Sequence, residues 1–406
     1  MKVIVVGGGA SGMMAALTAA ENPSNHVILL ERQNRVGRKL LATGNGRCNL
    51  SNVHVSPEHY HGQQPSFVEH ALSAFTVSDT LHYFRSLGLM TTVEESGKVY
   101  PFSDQANSVV DVLRFSLNAK GVQVVCSCEI TAISKKARGY SVKSADANYF
   151  ADKLIVACGG CAGSKLGGTD LGYQLLTSLG HRLIQPKPAL VQIKTDISHT
   201  RGLKGVRADA GVTLKRNGRT VAQDAGEIQF TDFGISGPTI FSLSREAAAG
   251  GDQILLLDLL RPLSEEDTTE FLRMKQANIS GLLLEDFLTG LLHNRLGRVV
   301  LNSLNYSLEQ PVSNLTEKDI QAIAHRIKYF PMTVTGVMGL DQAQVTAGGI
   351  ATADFRADTL ESRICPGLFV TGELLDIDGD CGGFNLQWAW SSGRVAGRLG
   401  KTGEQA

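Results

Sequence analysis

The chain begins with a short apolar run that passes directly into glycines. Residues 3–6 read Val-Ile-Val-Val, and small and apolar residues from Met13 to Glu21 follow the glycines. An apolar run bounded by glycines is typical of a buried strand, and the segment after it has the composition of a helix that packs on a sheet. A second apolar run, His26 to Leu30, predicts the next strand. The pattern therefore predicts a strand, helix, strand unit.

Alternating and helical patterns continue through the first half of the chain. Residues 122–125, 130–133 and 140–142 are short alternating segments, which predict a small antiparallel sheet. Asn107 to Ala119 repeats apolar side chains at helical spacing and predicts an amphipathic helix. The apolar run Asp152 to Ala157 predicts a further strand, which ends at a second glycine-rich turn.

The pattern changes twice after residue 190. Strand-like segments come first, at residues 191–197, 212–215, 227–231 and 253–258. Helical spacing follows in residues 282–304 and 320–330, and Ser264 and Thr316 each precede an Asp by three residues, as at a helix N-terminus. The strand pattern then returns at residues 332–338, 344–346 and 367–370, and a last helix is predicted to end near residue 399.

Glycine is the compositional outlier, with 44 Gly against 11 Pro. Disordered Gly-rich chains usually contain Pro or repeats as well, so we expect these glycines at tight backbone positions. The first cluster has the spacing Gly7-x-Gly9-x-x-Gly12, and the next predicted strand ends at Glu31. This spacing after a strand is the dinucleotide fingerprint, in which the helix N-terminus binds the pyrophosphate and the acid binds a ribose.

Residues 32–49 form a loop that carries five basic residues and no acidic one. A loop rich in donors and glycines suits a segment that wraps over a long phosphate-bearing ligand. A solvated basic loop without a ligand is the alternative that composition alone leaves open.

A second glycine cluster near the C-terminus extends this interpretation. The strand at 367–370 stops at Thr371-Gly372-Glu373, and the last helix begins after Gly382-Gly383. The arrangement resembles flavoproteins in which such an acid binds the ribityl chain and the helix N-terminus faces the flavin pyrimidine. An N-cap or surface role for Glu373 is the alternative.

Together these segments predict an α/β protein with an FAD/NAD(P)-binding Rossmann-like domain and two inserts. The expected boundaries are 1–190 with 345–406 for the discontinuous FAD-binding domain, 191–260 with 331–344 for a β-barrel-like insert, and 261–330 for a helical insert. A chain of 406 residues has room for two or three domains of about 150 residues each.

Charge and cysteine content restrict the partners and the compartment. The 39 Lys and Arg balance 39 Asp and Glu, which argues against a nucleic-acid partner because phosphate binding needs a basic surface. No apolar run approaches the roughly 20 residues that cross a membrane, and the first residues do not resemble a signal peptide. Seven widely spread cysteines suit reduced thiols in the cytoplasm, and we expect no metal site. The Cys158/Cys161 spacing is a weak redox or metal signal without a helix after it.

Five longer segments carry a resemblance to a known family. They are Ala42–Asn52, Gly97–Ala106, Phe230–Pro238, Thr346–Ile350 and Gly372–Gln387. On these segments the chain resembles, over nearly its whole length, the YhiN-like (BaiN/RdsA) family of NAD(P)/FAD-dependent flavoproteins, also called the aminoacetone oxidase family. The turn from Cys158 to Asp170 departs from the family pattern.

The motifs and the resemblance together imply FAD as the cofactor and a three-part architecture. The expected FAD-binding residues are Gly7, Gly9, Ala10, Ser11, Gly12, Glu31, Arg32, Lys39, Thr43, Gly44, Asn45, Gly46, Arg47, Cys48, Asn49, Ile130, Cys158, Gly159, Gly160, Gly348, Gly372, Glu373, Asp376, Gly383, Asn385 and Leu386.

The resulting functional prediction is a cytoplasmic FAD-dependent oxidoreductase that acts on a small organic substrate through hydride transfer at flavin N5. No second G-x-G-x-x-G follows an internal strand, so NAD(P)H would have to meet the flavin directly. Oxygen is the alternative partner. Two alternatives stay open, namely a flavoprotein of RNA modification and a flavin-binding regulator without turnover.

Individual side chains in and after the basic loop give narrower hypotheses. Cys48 is expected either at the flavin edge or as a small packed residue. His54, His59 and His61 follow the loop without a partner motif, so a surface location is expected rather than acid catalysis. The sequence identifies no catalytic acid or base.

Overall fold

The structure, a computed structural model, describes residues 1–279 and 281–400. The helices are α1 (Ala10–Ala19), α2 (Val68–Ala74), α3 (Val77–Ser86), α4 (Ala106–Ala119), α5 (Leu171–Thr177), α6 (Pro238–Ala247), α7 (Glu265–Asn278), α8 (Asn294–Asn302), α9 (Glu317–Lys328) and α10 (Phe384–Gly397). The strands are β1 (Lys2–Val6), β2 (His26–Leu30), β3 (Ser51–Asn52), β4 (Tyr60–His61), β5 (Thr91–Val93), β6 (Lys98–Pro101), β7 (Gln123–Val125), β8 (Ile130–Lys135), β9 (Tyr140–Ser144), β10 (Asn148–Ala151), β11 (Lys153–Val156), β12 (Leu183–Ala189), β13 (Ile193–Thr195), β14 (Arg207–Arg216), β15 (Arg219–Phe230), β16 (Gly234–Ser236), β17 (Gln253–Asp258), β18 (Phe330–Val337), β19 (Val345–Ile350), β20 (Leu368–Val370) and β21 (Asp378–Gly379).

The first compact unit comprises Met1–Lys187 and the chain from Leu340 onward. Its parallel sheet has the strand order β20-β11-β1-β2-β7, with β1 at the centre. Four of these strands read as near-continuous apolar runs because the sheet is buried on both faces. Parallel strands end at one edge, so the residues that follow β1, β2, β11 and β20 meet there.

Helices α1 and α10 pack closely against each other in this unit. An added Cβ at Gly393 would lie 2.5 Å from the Ser11 carbonyl oxygen, and one at Gly397 would lie 2.6 Å from that of Ala15. Glycine is therefore required on α10 wherever the helix backbones approach. This contact places the last turns of α10 against α1, from Ser11 onward.

The second unit comprises Pro188–Gly339. Strands β13-β16-β15-β14-β17-β18 form a closed barrel, which removes exposed sheet edges. Barrel residues such as Leu255 and helix residues such as Leu272 and Ile323 belong to one buried cluster. The unit thus has a hydrophobic core of its own.

The predicted α/β class with a Rossmann-like domain and a barrel insert is confirmed. The domain boundaries stay a prediction. The continuous helical spacing expected over residues 282–304 was wrong in its first half, because α8 begins only at Asn294. A short 3₁₀ turn at Leu284–Asp286 precedes it, and Gly290 has a φ of +87° that an α-helix does not accommodate. Among the described residues, no helix has the length and apolar character needed to cross a membrane.

Candidate functional site

The glycine fingerprint lies at the carboxyl edge of the parallel sheet, where sterics dictate its glycines. Gly7 has a φ of +108°, and an added Cβ there would lie 2.3 Å from the Ala157 carbonyl oxygen. At Gly12 an added Cβ would lie 1.9 Å from the Gly7 carbonyl oxygen. These two positions let β1, α1 and the end of β11 approach each other as the fingerprint predicts.

The N-terminus of α1 faces open space. Gly9 is its N-cap, and the first intrahelical hydrogen bond runs from the Met13 amide to the Gly9 carbonyl at 2.9 Å. The amides of residues 9–12, which include Ala10 and Ser11, have no acceptor within the helix and point out of its N-terminus. An added Cβ at Gly9 would meet no atom within 4 Å, so a phosphate has room beside these donors.

Glu31 is fixed at the end of β2 by backbone donors. One carboxylate oxygen accepts the Gly8 amide at 2.6 Å and the other accepts the Gln33 amide at 2.7 Å. Each oxygen keeps a further lone pair, so the carboxylate is oriented and can still accept a ribose hydroxyl. Arg32 instead donates to the Gly167 carbonyl at 3.0 Å and pairs with Glu129 at 3.7 Å.

Three distant segments meet at Glu373. Its Oε2 lies 2.8 Å from Lys39 Nζ, and its Oε1 accepts the Thr346 amide at 2.9 Å. An added Cβ at Gly160 would lie 2.5 Å from the same Oε1. The structure thus brings together Lys39, Gly160 and Glu373, all predicted as cofactor residues, around one half-buried ion pair. Gly372 has a φ of +74°, and an added Cβ there would lie 2.6 Å from Ser11 Oγ.

Tyr173 adds an unsatisfied group near this ion pair. Its side chain is 2% exposed, and its hydroxyl is buried without a hydrogen-bond partner in the part of the chain that the structure describes. Burial first, and then the negative charge of Glu373, raise the pKa of Tyr173. A buried hydroxyl without a partner is costly, which suits a site completed by a ligand.

The loop residues before β3 adopt conformations that glycine and asparagine tolerate. Gly44, Asn45 and Gly46 all have positive φ, after Thr43, whose hydroxyl donates to the Leu40 carbonyl at 2.7 Å. Arg47 lies with its guanidinium 4.0 Å from the centre of the Tyr100 ring, and it pairs with Asp104 at 2.7 Å and Glu94 at 3.0 Å.

Cys48 is fully buried in the core of the first unit. Burial raises the pKa of its thiol to about 12, although a hydrogen bond with Thr43 acts in the opposite direction. Because the Cys48 side chain has no exposed surface, the structure favours the hypothesis that it is a small packed residue over the hypothesis that it contacts the flavin edge.

The start of α10 is a glycine turn with an unpaired acceptor beside it. Gly383 has a φ of +103°, and an added Cβ there would lie 2.3 Å from the Ser51 carbonyl and 2.9 Å from Asn49 Oδ1. That Oδ1 is buried and has no partner among residues 1–279 and 281–400. The side chain of Asn385 is already hydrogen-bonded to protein. Its Nδ2 donates to the Gly379 carbonyl at 2.7 Å, and its Oδ1 accepts the Gly379 amide at 2.8 Å. Its neighbour Leu386 packs partly buried against the core.

Several other predicted cofactor residues have protein partners. Ile130 is buried in β8, and Asp376 accepts the Gln63 amide at 2.8 Å. Burial raises the pKa of the Cys158 thiol to about 12. An added Cβ at Gly348 would lie 2.6 Å from the Gln185 carbonyl oxygen, so the two backbones are in close contact. At Gly159, by contrast, an added Cβ would meet nothing within 4 Å. A cofactor contact by the first four stays a prediction.

The structure adds one cluster that the sequence did not reveal. Asp380 Oδ2 lies 3.0 Å from His59 Nδ1, and Asp380 Oδ1 lies 2.7 Å from His61 Nε2. Burial raises the pKa of Asp380, but the hydrogen bonds and charges of the two histidines outweigh it, so the pKa is lowered. His54 is exposed as expected, whereas His59 and His61 are half-buried. Because 319 or more residues separate each histidine from Asp380, no local spacing in the sequence indicates the cluster.

These features fit FAD. The α1 amides have open space in front of them, Glu31 is oriented at the end of β2, and Asn49 Oδ1 is a buried acceptor without a donor beside the last helix. A dinucleotide needs the first two groups, and the N–H of a flavin pyrimidine would satisfy the third.

Comparison with known proteins gives matches along the whole chain. The family described as HI0933-like protein Rossmann domain matches residues 1–399. The 3-dehydro-bile acid delta(4,6)-reductase of Clostridium scindens is 38% identical over 402 residues, which cover 98% of each chain. The ribosomal RNA dihydrouridine synthase of Escherichia coli is 28% identical over 392 residues, 96% of this chain and 95% of that protein. The open conformation of a flavocytochrome c3 fumarate reductase matches 98% of this chain and 77% of that chain, at 17% identity and a TM-score of 0.49.

Proposed function

The chain belongs to the HI0933-like Rossmann family and is an FAD-dependent oxidoreductase, and we propose that it reduces a carbon–carbon double bond conjugated to a carbonyl in a small organic substrate. The family resemblance of the sequence is thereby confirmed. The observation that carries the proposal is the likeness, over 98% of each chain, to a reductase of 3-dehydro bile acids. The dihydrouridine synthase has the same chemistry by name, since dihydrouridine is uridine whose ring double bond, conjugated to a carbonyl, has been reduced.

The residues described above would each bind a different part of FAD. The α1 amides would hold the pyrophosphate, Glu31 would accept a hydrogen bond from a ribose hydroxyl, and Lys39 and Glu373 would bind a phosphate and the ribityl chain. Hydride transfer is the chemistry that FAD would supply when it is bound to these residues. The N-terminus of α10 carries a partial positive charge, which would stabilise the negative charge of a reduced flavin held beside it.

A small substrate is preferred over RNA on electrostatic grounds. The net charge is zero, and several surface arginines pair with carboxylates, among them Arg207 with Glu227 at 3.5 Å and Arg298 with Glu285 at 3.2 Å. RNA binding draws its affinity from unpaired basic groups that neutralise phosphates. Reduction of an RNA base is the second candidate, which the dihydrouridine synthase relative favours.

The test begins with the purified protein and its released flavin. We expect a yellow protein that NADH or NADPH reduces without oxygen, and that 3-oxochol-4-en-24-oic acid reoxidises with formation of the saturated 3-ketone. Reoxidation by a ribosomal RNA fragment, with formation of dihydrouridine and no reaction with the enone, would replace the first candidate by the second. A colourless protein that cannot be reconstituted with FAD would refute both.

A further inference from the structure

We propose that His59 and His61, held by Asp380, form the proton-donating group of this enzyme. The inference rests on the proposed reduction of a conjugated alkene and names the acid that such a reduction needs. The two histidines lie outside the fingerprint and outside the five family segments, whereas Asp380 lies within the segment Gly372–Gln387.

The geometry gives each imidazole one bound and one free nitrogen. The Asp380 carboxylate uses a separate oxygen for His59 Nδ1 and for His61 Nε2. Within the described residues, His59 Nε2 and His61 Nδ1 have no hydrogen-bond partner. An ionised carboxylate fixes a proton on the nitrogen that faces it, so the opposite nitrogen gains and loses the exchangeable proton. Side-chain exposures of 34% and 35% leave both rings accessible to solvent and substrate.

The fold places this pair beside the start of α10. Strand β4, which contains His61, pairs with β21 just before the glycine turn, and Asp380 follows β21 directly. The His59 ring stacks on Phe384, the first residue of α10, with ring centres 4.1 Å apart. The expected position of the flavin is at the same helix N-terminus. Proton and hydride donors would therefore stand at one end of one helix.

Tyr60, between the two histidines, is excluded as the donor. Its side chain is 2% exposed, and its hydroxyl donates to the Phe384 carbonyl at 3.0 Å. Burial, and then the charge of Asp380, raise the pKa of Tyr60, so it keeps its proton. The two imidazoles are the groups at this place with a free, accessible nitrogen.

The proposed step balances as follows. The alkene carbon farther from the carbonyl would gain a hydride from reduced FAD, which is thereby oxidised and is reduced again by NADPH. The carbon next to the carbonyl would gain a proton from an imidazolium N–H. The carbon–carbon π bond is lost, and two C–H bonds form. The imidazole becomes neutral and regains its proton from solvent, while Asp380 stays ionised and acts as a positioning residue.

The test compares the double variant H59Q/H61Q with H70Q, whose histidine is exposed on α2. Each protein is loaded with FAD, reduced by NADPH without oxygen, and mixed with 3-oxochol-4-en-24-oic acid in a stopped-flow instrument. We expect reoxidation by the enone to slow by about 10²- to 10⁴-fold in the double variant, as general acid catalysis predicts, and to be unchanged in H70Q. Flavin reduction and reoxidation by oxygen should be unchanged in both, because neither needs proton transfer to carbon.

The outcomes separate this inference from the proposed function. If the wild-type protein reduces no enone, both fall. If it does and H59Q/H61Q reduces the enone at the same rate, this inference alone falls. Each single variant shows which ring donates, and FAD content reports whether a variant has folded.

D380N provides a readout besides turnover. An amide keeps the shape of the carboxylate but not its charge, so the histidines should lose their fixed tautomers in ¹⁵N–¹H correlation spectra. In wild-type protein we expect Nδ1–H on His59 and Nε2–H on His61, with or without FAD. Equal tautomer populations in wild-type protein and D380N would show that Asp380 does not position the rings.

Discussion

Two glycines of one fingerprint have opposite surroundings. An added Cβ at Gly12 would collide with the Gly7 backbone at 1.9 Å, whereas one at Gly9 would meet nothing within 4 Å. Gly12 is thus required by the fold, whereas Gly9 leaves the space that a bound pyrophosphate would need.

The variant Gly9→Ala should therefore fold normally and bind FAD poorly. We expect an unchanged melting temperature without FAD and an affinity for FAD at least about tenfold lower, or about 1.4 kcal/mol, measured by fluorescence titration. Gly281→Ala, where an added Cβ is equally free, is the control and should change neither quantity. Wild-type FAD affinity in Gly9→Ala would place the pyrophosphate elsewhere.

The burial of Cys48 leads to a prediction about stability. Cys48→Ser should leave the flavin spectrum and redox potential unchanged and lower the free energy of unfolding by roughly 1–3 kcal/mol, since it buries a more polar group. Cys126→Ser, at a partly exposed position, should change the stability little. A shifted redox potential in Cys48→Ser would restore the hypothesis of a cysteine at the flavin edge.

At the scale of elements, the capping box of α9 couples stability to pH. The hydroxyl and the backbone amide of Thr316, together with the Tyr306 hydroxyl, hold the pKa of Asp319 below its usual value. A lowered pKa in the folded state means that the contribution of Asp319 to stability is full above the ordinary value, about 3.9, and is lost as the pH falls through the lower, folded value.

We therefore expect Asp319→Ala to lower the free energy of unfolding by about 1 kcal/mol at pH 5 and above, and by progressively less below about pH 3.9. Calorimetric unfolding between pH 3 and pH 7 measures the difference, with Lys318→Ala at the neighbouring exposed position as control. A difference that stays constant across this range would show that the charge of Asp319 does not contribute.

Elements with a strong local pattern were predictable from the sequence. Strand β17 lies at the predicted residues, and α4 begins one residue earlier than expected, because burial imposes a period on both. The barrel hairpin was predicted too short. Strand β15 covers Arg219–Phe230 rather than residues 227–231, since much of its length is exposed and polar and gives no apolar alternation.

The strength of the local sequence pattern also decides which residues of the candidate site could be predicted. Residues 7–12 and Glu31 could be found because their spacing is local. Asp380 could not be connected with His59 and His61, since a ladder of two residues in each strand joins segments more than 300 residues apart. Such a ladder is too short to leave a period in either strand.

For the whole molecule, two separate cores predict a localised response to FAD. Residues 7–12, Glu31, Lys39 and Glu373 all belong to the first unit, whereas the barrel and α7–α9 share the core of the second. FAD at one hundred times its dissociation constant stabilises the folded state that binds it by about 2.7 kcal/mol.

Hydrogen–deuterium exchange should locate this stabilisation. We expect slower exchange with FAD in peptides from β1, α1, β20 and α10, and unchanged exchange in peptides from β14 and β17. Riboflavin, which lacks the pyrophosphate, is the control ligand and should protect residues 7–12 less. Equal protection of both units would contradict a response confined to one core.

The division of the first unit into two stretches of chain also has a consequence for biosynthesis. Glu31 is made early, whereas β20, Glu373 and α10 come after the whole barrel. At about 5–20 residues per second, the two parts of the proposed cofactor site leave the ribosome on the order of tens of seconds apart. The barrel unit can fold in that interval, while the sheet lacks β20 and the fingerprint lacks α10. A nascent chain halted before residue 368 would therefore carry the complete fingerprint and still be unable to retain the cofactor.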